Sequence, residues 1–404
     1  RPFTKATTTG VVSVAGPLTD MARLRMDARL DTAALTLFNY PLNNDGPLQL
    51  GLRNNRFELD RVQFAGDKTS LTMSGLVDLG ARTANVKATG DANLAVLQAF
   101  YPQLTTNGGA KLTASLTGGF DNLAITGRAD ISDGRLKHFD LGHGLEQING
   151  PIRMEAGRIS VDGLHAVMGG GAVDFSGAIL LNGYRPEEFA LHAEGQSLDL
   201  RIPEGLQSTV NAKFDLRGPV TNPTLSGRVD VLKASYAPRI QPETGYLGLL
   251  RNAVDTNAAL PKPVEEESPA FPMNLDIRVQ ASHVAVIESK ATNTLIEASA
   301  DVDIRGIVSH PIVTGHVDVD QGVWYFNGNK YILQHGTVDF TNPAQFDPFF
   351  DMSAEANVRS VGQNYTVHMR VTGTINHLTT SLDSEPSLPE FQIISLLLGE
   401  TANL

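Results

Sequence analysis

The sequence predicts an all-β protein: an elongated, curved, mainly antiparallel β-sheet groove with irregular repeats and a few short helices. Three observations predict it. Apolar and polar residues alternate with a period of two through most of the chain. Clusters of Asn, Asp, Gly and Pro punctuate the runs, as turns require. One twelve-residue pattern also recurs, as FDNLAITGRADI from Phe120, VTNPTLSGRVDV from Val220 and VSHPIVTGHVDV from Val308.

The alternation gives the strands. Leu71, Met73, Gly75, Val77 and Leu79 share one face, with Thr72, Ser74 and Asp78 opposite. Leu275, Ile277 and Val279 alternate with Asp276, Arg278 and Gln280. Tyr365, Val367, Met369 and Val371 alternate with Thr366, His368, Arg370 and Thr372. One apolar and one wet face is the habit of antiparallel sheets; parallel strands buried on both sides read as unbroken apolar runs.

The repeat gives the architecture. Each copy is read as a strand ending in Gly118, Gly218 or Gly306, a short turn, and a Gly that opens the next strand. That second glycine, Gly127, Gly227 or Gly315, lies nine positions on. Weaker copies follow Gly16 and Gly373, so the separations are 102, 100, 88 and 67 residues. Regular solenoids hold a tighter period. A single supersecondary unit, stacked with insertions between copies, fits better. Roughly 25 strands at ~4.8 Å each would extend a sheet on the order of 120 Å. Curled about its apolar face, such a sheet is a trough, and an open apolar strip in water calls for an occupant.

Two helical patches interrupt the strands. Asp91 to Tyr101 spaces Leu94, Leu97 and Tyr101 for a helix that Pro102 stops, and Glu243 to Val254 is a weaker candidate. Residues 255–270 are rich in Pro and Glu and read as a flexible insertion. At the C-terminus, SLPEFQIISLLLG offers Ser387 as N-cap with Glu390 three residues on, and Gly399 as a stop. The helix of about 11 residues is too short for a bilayer, which needs about 20. It reads either as a plug at the end of a sheet or as a docking element. The domain reading is therefore 1–254 repeat groove, 255–270 insertion, 271–382 C-terminal groove, and 383–404 apolar helix and tail.

Composition narrows the function. A net charge of −12 with no basic cluster argues against nucleic acid. The absence of Cys excludes a disulfide scaffold and a Cys-based metal site. The chain starts mid-pattern with RPFTKATTTG, without a signal peptide, and reads as a fragment of something longer.

Chemistry is not evident. His310 and His316 would lie about 20 Å apart on an extended strand, too far for one metal. Asp318, Asp320 and Gly322 resemble only the start of a calcium loop. Gly169 to Gly171 lack the following Lys of a phosphate loop and suggest a bulge or a close backbone approach. No catalytic residue, cofactor or metal is assigned, and the expected protein is not an enzyme.

Several stretches carry a resemblance. HPIVTGHVDVDQGVWYFNGNKYILQHGTVDF, YTVHMRVTGTINHL and LDSEPSLPEFQIISLLLG, between His310 and Gly399, resemble the C-terminal domain of the TamB family, in the wider AsmA-like group. The run from Ser197 to Tyr236 and GDANLAVLQAFYP from Gly90 look like the same family's repeat. The resemblance implies a β-taco, a long curved sheet with a hydrophobic groove. It also implies an inner-membrane anchor N-terminal to the groove and a periplasm-spanning position. The implied outer-membrane partner is TamA or a BamA-like barrel. The implied roles, within the translocation and assembly module, are assembly and secretion of outer-membrane proteins, autotransporters among them, and phospholipid transport between the inner and outer membranes. The cargo would be phospholipid acyl chains or nascent outer-membrane protein strands.

The expected groove lining is Leu71, Met73, Val77, Leu275, Ile277, Val279, Val317, Val319, Val367, Met369 and Val371. The expected partner-docking residues are Phe391, Ile394 and Leu397. The alternatives are a β-solenoid adhesin or scaffold module without lipid cargo, and a polysaccharide-processing β-helix enzyme. The latter would need clustered carboxylates on one face.

Overall fold

In the computed structural model, the described residues are 4–17, 23–37, 40–99, 104–138, 142–183, 185–201, 206–236, 273–289, 294–326, 329–342, 347–360, 362–374 and 377–398. The Glu243–Val254 and 255–270 expectations lie outside them. The described residues form 23 strands and one short α-helix. Packing divides the chain into two units. The first is Arg1–Gln196 with Asp215–Pro223; the second is Ser197–Phe214 with Thr224–Leu404.

The first thirteen strands belong to the first unit. They are β1 (Thr4–Ala15), β2 (Arg25–Leu37), β3 (Tyr40–Asn44), β4 (Leu48–Arg53), β5 (Arg56–Gly66), β6 (Thr69–Asp78), β7 (Thr83–Asn93), β8 (Leu104–Gly119), β9 (Asn122–His138), β10 (Leu145–Glu155), β11 (Arg158–Ser160), β12 (Leu164–Met168) and β13 (Gly171–Asn182). β14 (Arg185–Leu200) and β15 (Leu206–Pro219) contribute residues to both units. From β4 to β10 each strand pairs antiparallel with the next, as β13 does with β14. The short β11 and β12 both bridge β10 to β13.

The second unit carries β16 (Thr224–Tyr236), β17 (Asn274–Ser289), β18 (Thr294–Ile307), β19 (His310–Phe326), β20 (Asn329–Phe340), β21 (Phe349–Ser360), β22 (Gln363–Thr374) and β23 (His377–Glu385). They pair in sequence order, antiparallel from β17 to β23. β16 and β17 are parallel, with Thr224 beside Asn274 and Val231 beside Ala281. Period-two alternation carries no strand direction, so the sequence did not foretell this pair.

The repeated motif is a hairpin with a short connection. Gly118 and Gly306 sit one residue before the end of β8 and β18 and pair with Leu123 and Pro311 across the turn. The second glycine does not open the next strand, as expected; it lies inside it. Gly127 is five residues into β9 and Gly315 five into β19. Their φ angles are +143° and +128°. A Cβ at Gly127 would stand 2.1 Å from the Thr113 carbonyl oxygen, and one at Gly315 2.2 Å from that of Asp301. Only glycine lets the neighbouring strand approach so closely.

Three local expectations change. Asp91–Asn93 finish β7, and Leu94–Ala99 form a short 3-10 helix rather than the start of an α-helix. The pairing of Ala92 with Ala110 holds the strand, and buried Asn93 caps the turn by accepting the Ala95 N–H at 2.9 Å. Tyr101 and Pro102 lie outside the described residues. Gly169 and Gly170 are neither a bulge nor a close approach. They are the two-residue turn between β12 and β13, with φ +54° and +81°, as primed hairpin turns demand. Finally, Ser387 is not the N-cap. The C-terminal helix α1 (Glu390–Leu397) starts after Pro389, with no side-chain cap. Ser384, buried, instead accepts the Leu388 N–H and donates to the Pro386 carbonyl, fixing the entry to the helix. No helix among the described residues is long and apolar enough to cross a membrane.

Candidate functional site: an apolar face in each unit

Cross-strand partners in a sheet share a face, so the register decides which alternating residues meet. In the second unit one row crosses eight strands without a polar side chain. It reads Val231, Ala281, Ala300, Val317, Val338, Phe350, Gly373, Leu378, from β16 to β23. The adjacent row, one residue along each strand, faces the other way. It reads Asp230, Gln280, Asp301, His316, Asp339, Phe349, Thr374, His377. Only Phe349 breaks its polarity. The period-two pattern of single strands has become two chemically distinct surfaces.

The expected lining residues of this unit lie on that apolar face. Ile277 stands in the row Gly227–Ile277–Ile304–Val313, and Val279 in Val229–Val279–Val302–Gly315–Phe340. Leu275 pairs with Leu225 and Gly306. Val319 pairs with Ala298, which also faces Val284. Val319 further packs over Gly336, where an added Cβ would come within 2.9 Å of its own. Met369 stands in the row Leu333–Ala354–Met369–Leu382, and Val371 beside Met352 and Thr380.

Val367 is also in the ladder, beside Ala356 and Ser384, but it is covered. Helix α1 lies over this part of the face. Ile393, Leu396 and Leu397 are buried in a cluster with Tyr331, Ala356, Val358, Tyr365 and Val367, and Met369, Leu382 and Leu388 pack at its margin. Burial raises the Tyr331 phenol above its ordinary value, because the charged form loses water. The three residues expected to dock a partner divide. Leu397 faces the sheet, while Phe391 and Ile394 face outward at 68% and 44% exposure. Sequence reading missed Ile393, the most deeply covered side chain of the helix. Its neighbour Ile394 is equally apolar, and an eight-residue helix apolar on two sides does not declare which side is inward.

The first unit repeats the design over shorter rows. Val62, Met73, Ala88, Ala114, Gly127 and Met154 form one, from β5 to β10. Phe64, Leu71, Gly90, Leu112, Ala129 and Ile152 form the next. Val77 stands with Phe57, Ala84, Gly118 and Leu123. Met73 also packs against a buried cluster of Ala33, Leu48 and Val62.

The opposite faces carry charge in pairs. Arg278 binds Asp301, Arg305 reaches Asp276 and Asp303, and Arg370 binds Asp351. In the first unit Arg128 holds Asp130, and Arg53 holds Asp27. Such exposed pairs, screened by water, add little to stability, so their effect is to keep this face wet rather than to hold the sheet. His316 pairs with Asp318, and His310 with Ser309. Among the described residues no group of three His, Asp or Glu could hold a metal ion.

A family model, that of the TamB C-terminal domain, matches residues 162–403, more than half of the chain. The chain belongs to the TamB family. The TamB match takes in β12 to β23 and helix α1, and with them the eight-strand apolar row and its helix cover. The stretch near Gly90 that resembled the family lies outside the TamB match, but the first unit carries the same paired apolar and polar faces.

Proposed function

We propose that this chain is the groove-forming part of a TamB-type protein that spans the periplasm and shields apolar cargo between the inner and outer membranes. Full-length, it is held in the inner membrane by an N-terminal anchor. It supports outer-membrane protein assembly and autotransporter secretion, together with phospholipid transport. Its role is shielding and conduction, not catalysis. The observation that carries the reading is the unbroken apolar row from Val231 to Leu378, backed by a polar row on the reverse face.

The physics favours acyl chains as cargo on the face itself. The backbone groups under the row are already paired in the ladder. A polypeptide laid on it would lose water from its own N–H and C=O groups and gain no partners, at ~1–3 kcal/mol each. A hydrocarbon chain has no such groups and gains roughly 0.8 kcal/mol per buried CH₂. The outward pair Phe391 and Ile394 is the proposed contact to TamA or a BamA-like barrel.

The test is native mass spectrometry of the purified chain, followed by solvent extraction and lipid analysis. Wild-type protein should carry phospholipid. Val319→Asp should lose it while keeping the wild-type circular dichroism, and Asp318→Asn on the wet face should retain it. A folded but lipid-free wild type overturns the lipid reading.

A further inference from the structure

A β-bulge bends the strand that carries it, and the same local device occurs in both units. In β9 and β10 the partners step from Ile131–Gly150 to Gly134–Ile148, so Ser132 and Asp133 stand opposite Asn149 alone. Asp133 takes the left-handed conformation, φ +46°. Its N–H leaves the ladder and donates to Asn149 Oδ1 at 3.0 Å, while Asn149 Nδ2 donates to the Gln147 carbonyl at 2.7 Å.

In β17 and β18 the partners step from Ala281–Ala300 to Val284–Ala298, leaving Ser282 and His283 opposite Ser299. His283 has φ +49°, and its N–H donates to Ser299 Oγ at 3.1 Å. Ser299 Oγ in turn donates to Asp320 Oδ2 at 2.7 Å, at the bulge of β19. Ser197, φ +53°, donates its N–H to Asn211 Oδ1 at 2.9 Å. Beside the extra residue Asp31 in β2, the Ala33 N–H goes to Asn44 Oδ1 at 2.7 Å, and Asn44 Nδ2 reaches the Asp31 and Gly46 carbonyls.

A bulge bends its strand and sharpens the local twist, and it leaves an N–H without a ladder partner. Such a donor is costly unless something accepts it. Here the acceptor is a side chain on the neighbouring strand; in β10 and β18 it belongs to the very residue that faces the bulge. The bulges also interrupt the apolar face, with Ile131 and Gly134 on either side of one and Ala281 and Val284 on either side of another.

We propose that Asn44, Asn149, Asn211 and Ser299 are positioning residues of the groove: they hold the bends that set how much apolar face each strand presents to an acyl chain. This rests on the groove reading above. None of them touches the cargo, and each acts through the backbone of the strand beside it.

The test uses the full chain with spin labels at Lys111 and Lys137, exposed positions on β8 and β9 on either side of the Asp133 bulge. Asn149→Ala should shift or broaden the label-to-label distance distribution and speed amide exchange at Asp133 at least tenfold. It should also lower the lipid retained per chain. Asn149→Asp, which keeps the acceptor oxygen, should restore all three toward wild type. Should Asn149→Ala fail to fold, Ser299→Ala with amide exchange read at His283 replaces it. An unchanged distance distribution or unchanged exchange overturns the proposal, as does altered geometry with unaltered lipid content. A wild type without lipid overturns the groove reading instead, and the distance arm alone then decides whether Asn149 holds the bend.

Discussion

Arg278 grips Asp301 with both ends of its guanidinium, Nε to Oδ1 at 2.8 Å and an Nη to Oδ2 at 2.5 Å, across β17 and β18. That hydrogen bonding is the main reason the Asp301 carboxyl is held below its usual value, against an opposing desolvation. Asp351 beside Arg370 and Asp130 beside Arg128 are held down for the same reason. A depressed carboxylate stabilises the fold above its unfolded value, about pH 4, and that contribution is lost as pH falls through the folded value. The unfolding midpoint should therefore stay level from neutral pH to about pH 5 and decline below about pH 4. Asp301→Asn should lower the neutral midpoint slightly and make the acid decline shallower. A difference between wild type and variant that is the same at every pH would sink this account.

Gly315 and Gly362 separate two uses of glycine. Both have positive φ, +128° and +82°. An added Cβ at Gly362 meets nothing within 4 Å, while at Gly315 it meets the Asp301 carbonyl oxygen at 2.2 Å. Gly362→Ala should cost about 1–2 kcal/mol, the conformational term alone. Gly315→Ala adds a backbone clash that no side-chain motion relieves, and should cost more than about 3 kcal/mol or prevent folding. Urea denaturation of the two variants decides it, and equal losses would refute the close approach.

Ile393 is 1% exposed in the cluster with Val367 and Tyr331. Ile393→Ala should destabilise the second unit by about 2–4 kcal/mol, through lost burial and the cavity left behind. Phe391→Ala, at a side chain 68% exposed, should stay within about 0.5 kcal/mol of wild type. Thermal melts that rank the two the other way would place the helix on its opposite face.

Much of this fold was legible because alternation is a local signal. Leu275, Ile277 and Val279 announce their face within five residues, and neighbouring strands with the same habit can only stack like to like. Register was less legible. Ser282 and His283 interrupt the alternation of β17 by two polar residues, and nothing nearby says whether that is a turn, a strand end or a bulge. The answer depends on Ser299, a strand away. The parallel start of β17 beside β16 was hidden for the same reason, since direction is set by the connection and not by the strand. Leu397 and Ile394 were indistinguishable as docking residues because the helix is apolar on both sides, and the sheet beneath decides which is covered.

Phe391 and Ile394 remain outward on a helix whose other side is occupied by the sheet. Three residues apart, they form a single apolar strip. That strip is the docking surface proposed above. Charge placed there should leave folding untouched and weaken docking. Phe391→Glu with Ile394→Glu should keep the wild-type melting temperature and the lipid content of the chain. In cells it should reduce site-specific cross-linking to the proposed barrel partner by tenfold or more, as about 1.4 kcal/mol of lost contact would. Undiminished cross-linking with both charges in place would move the docking surface away from α1.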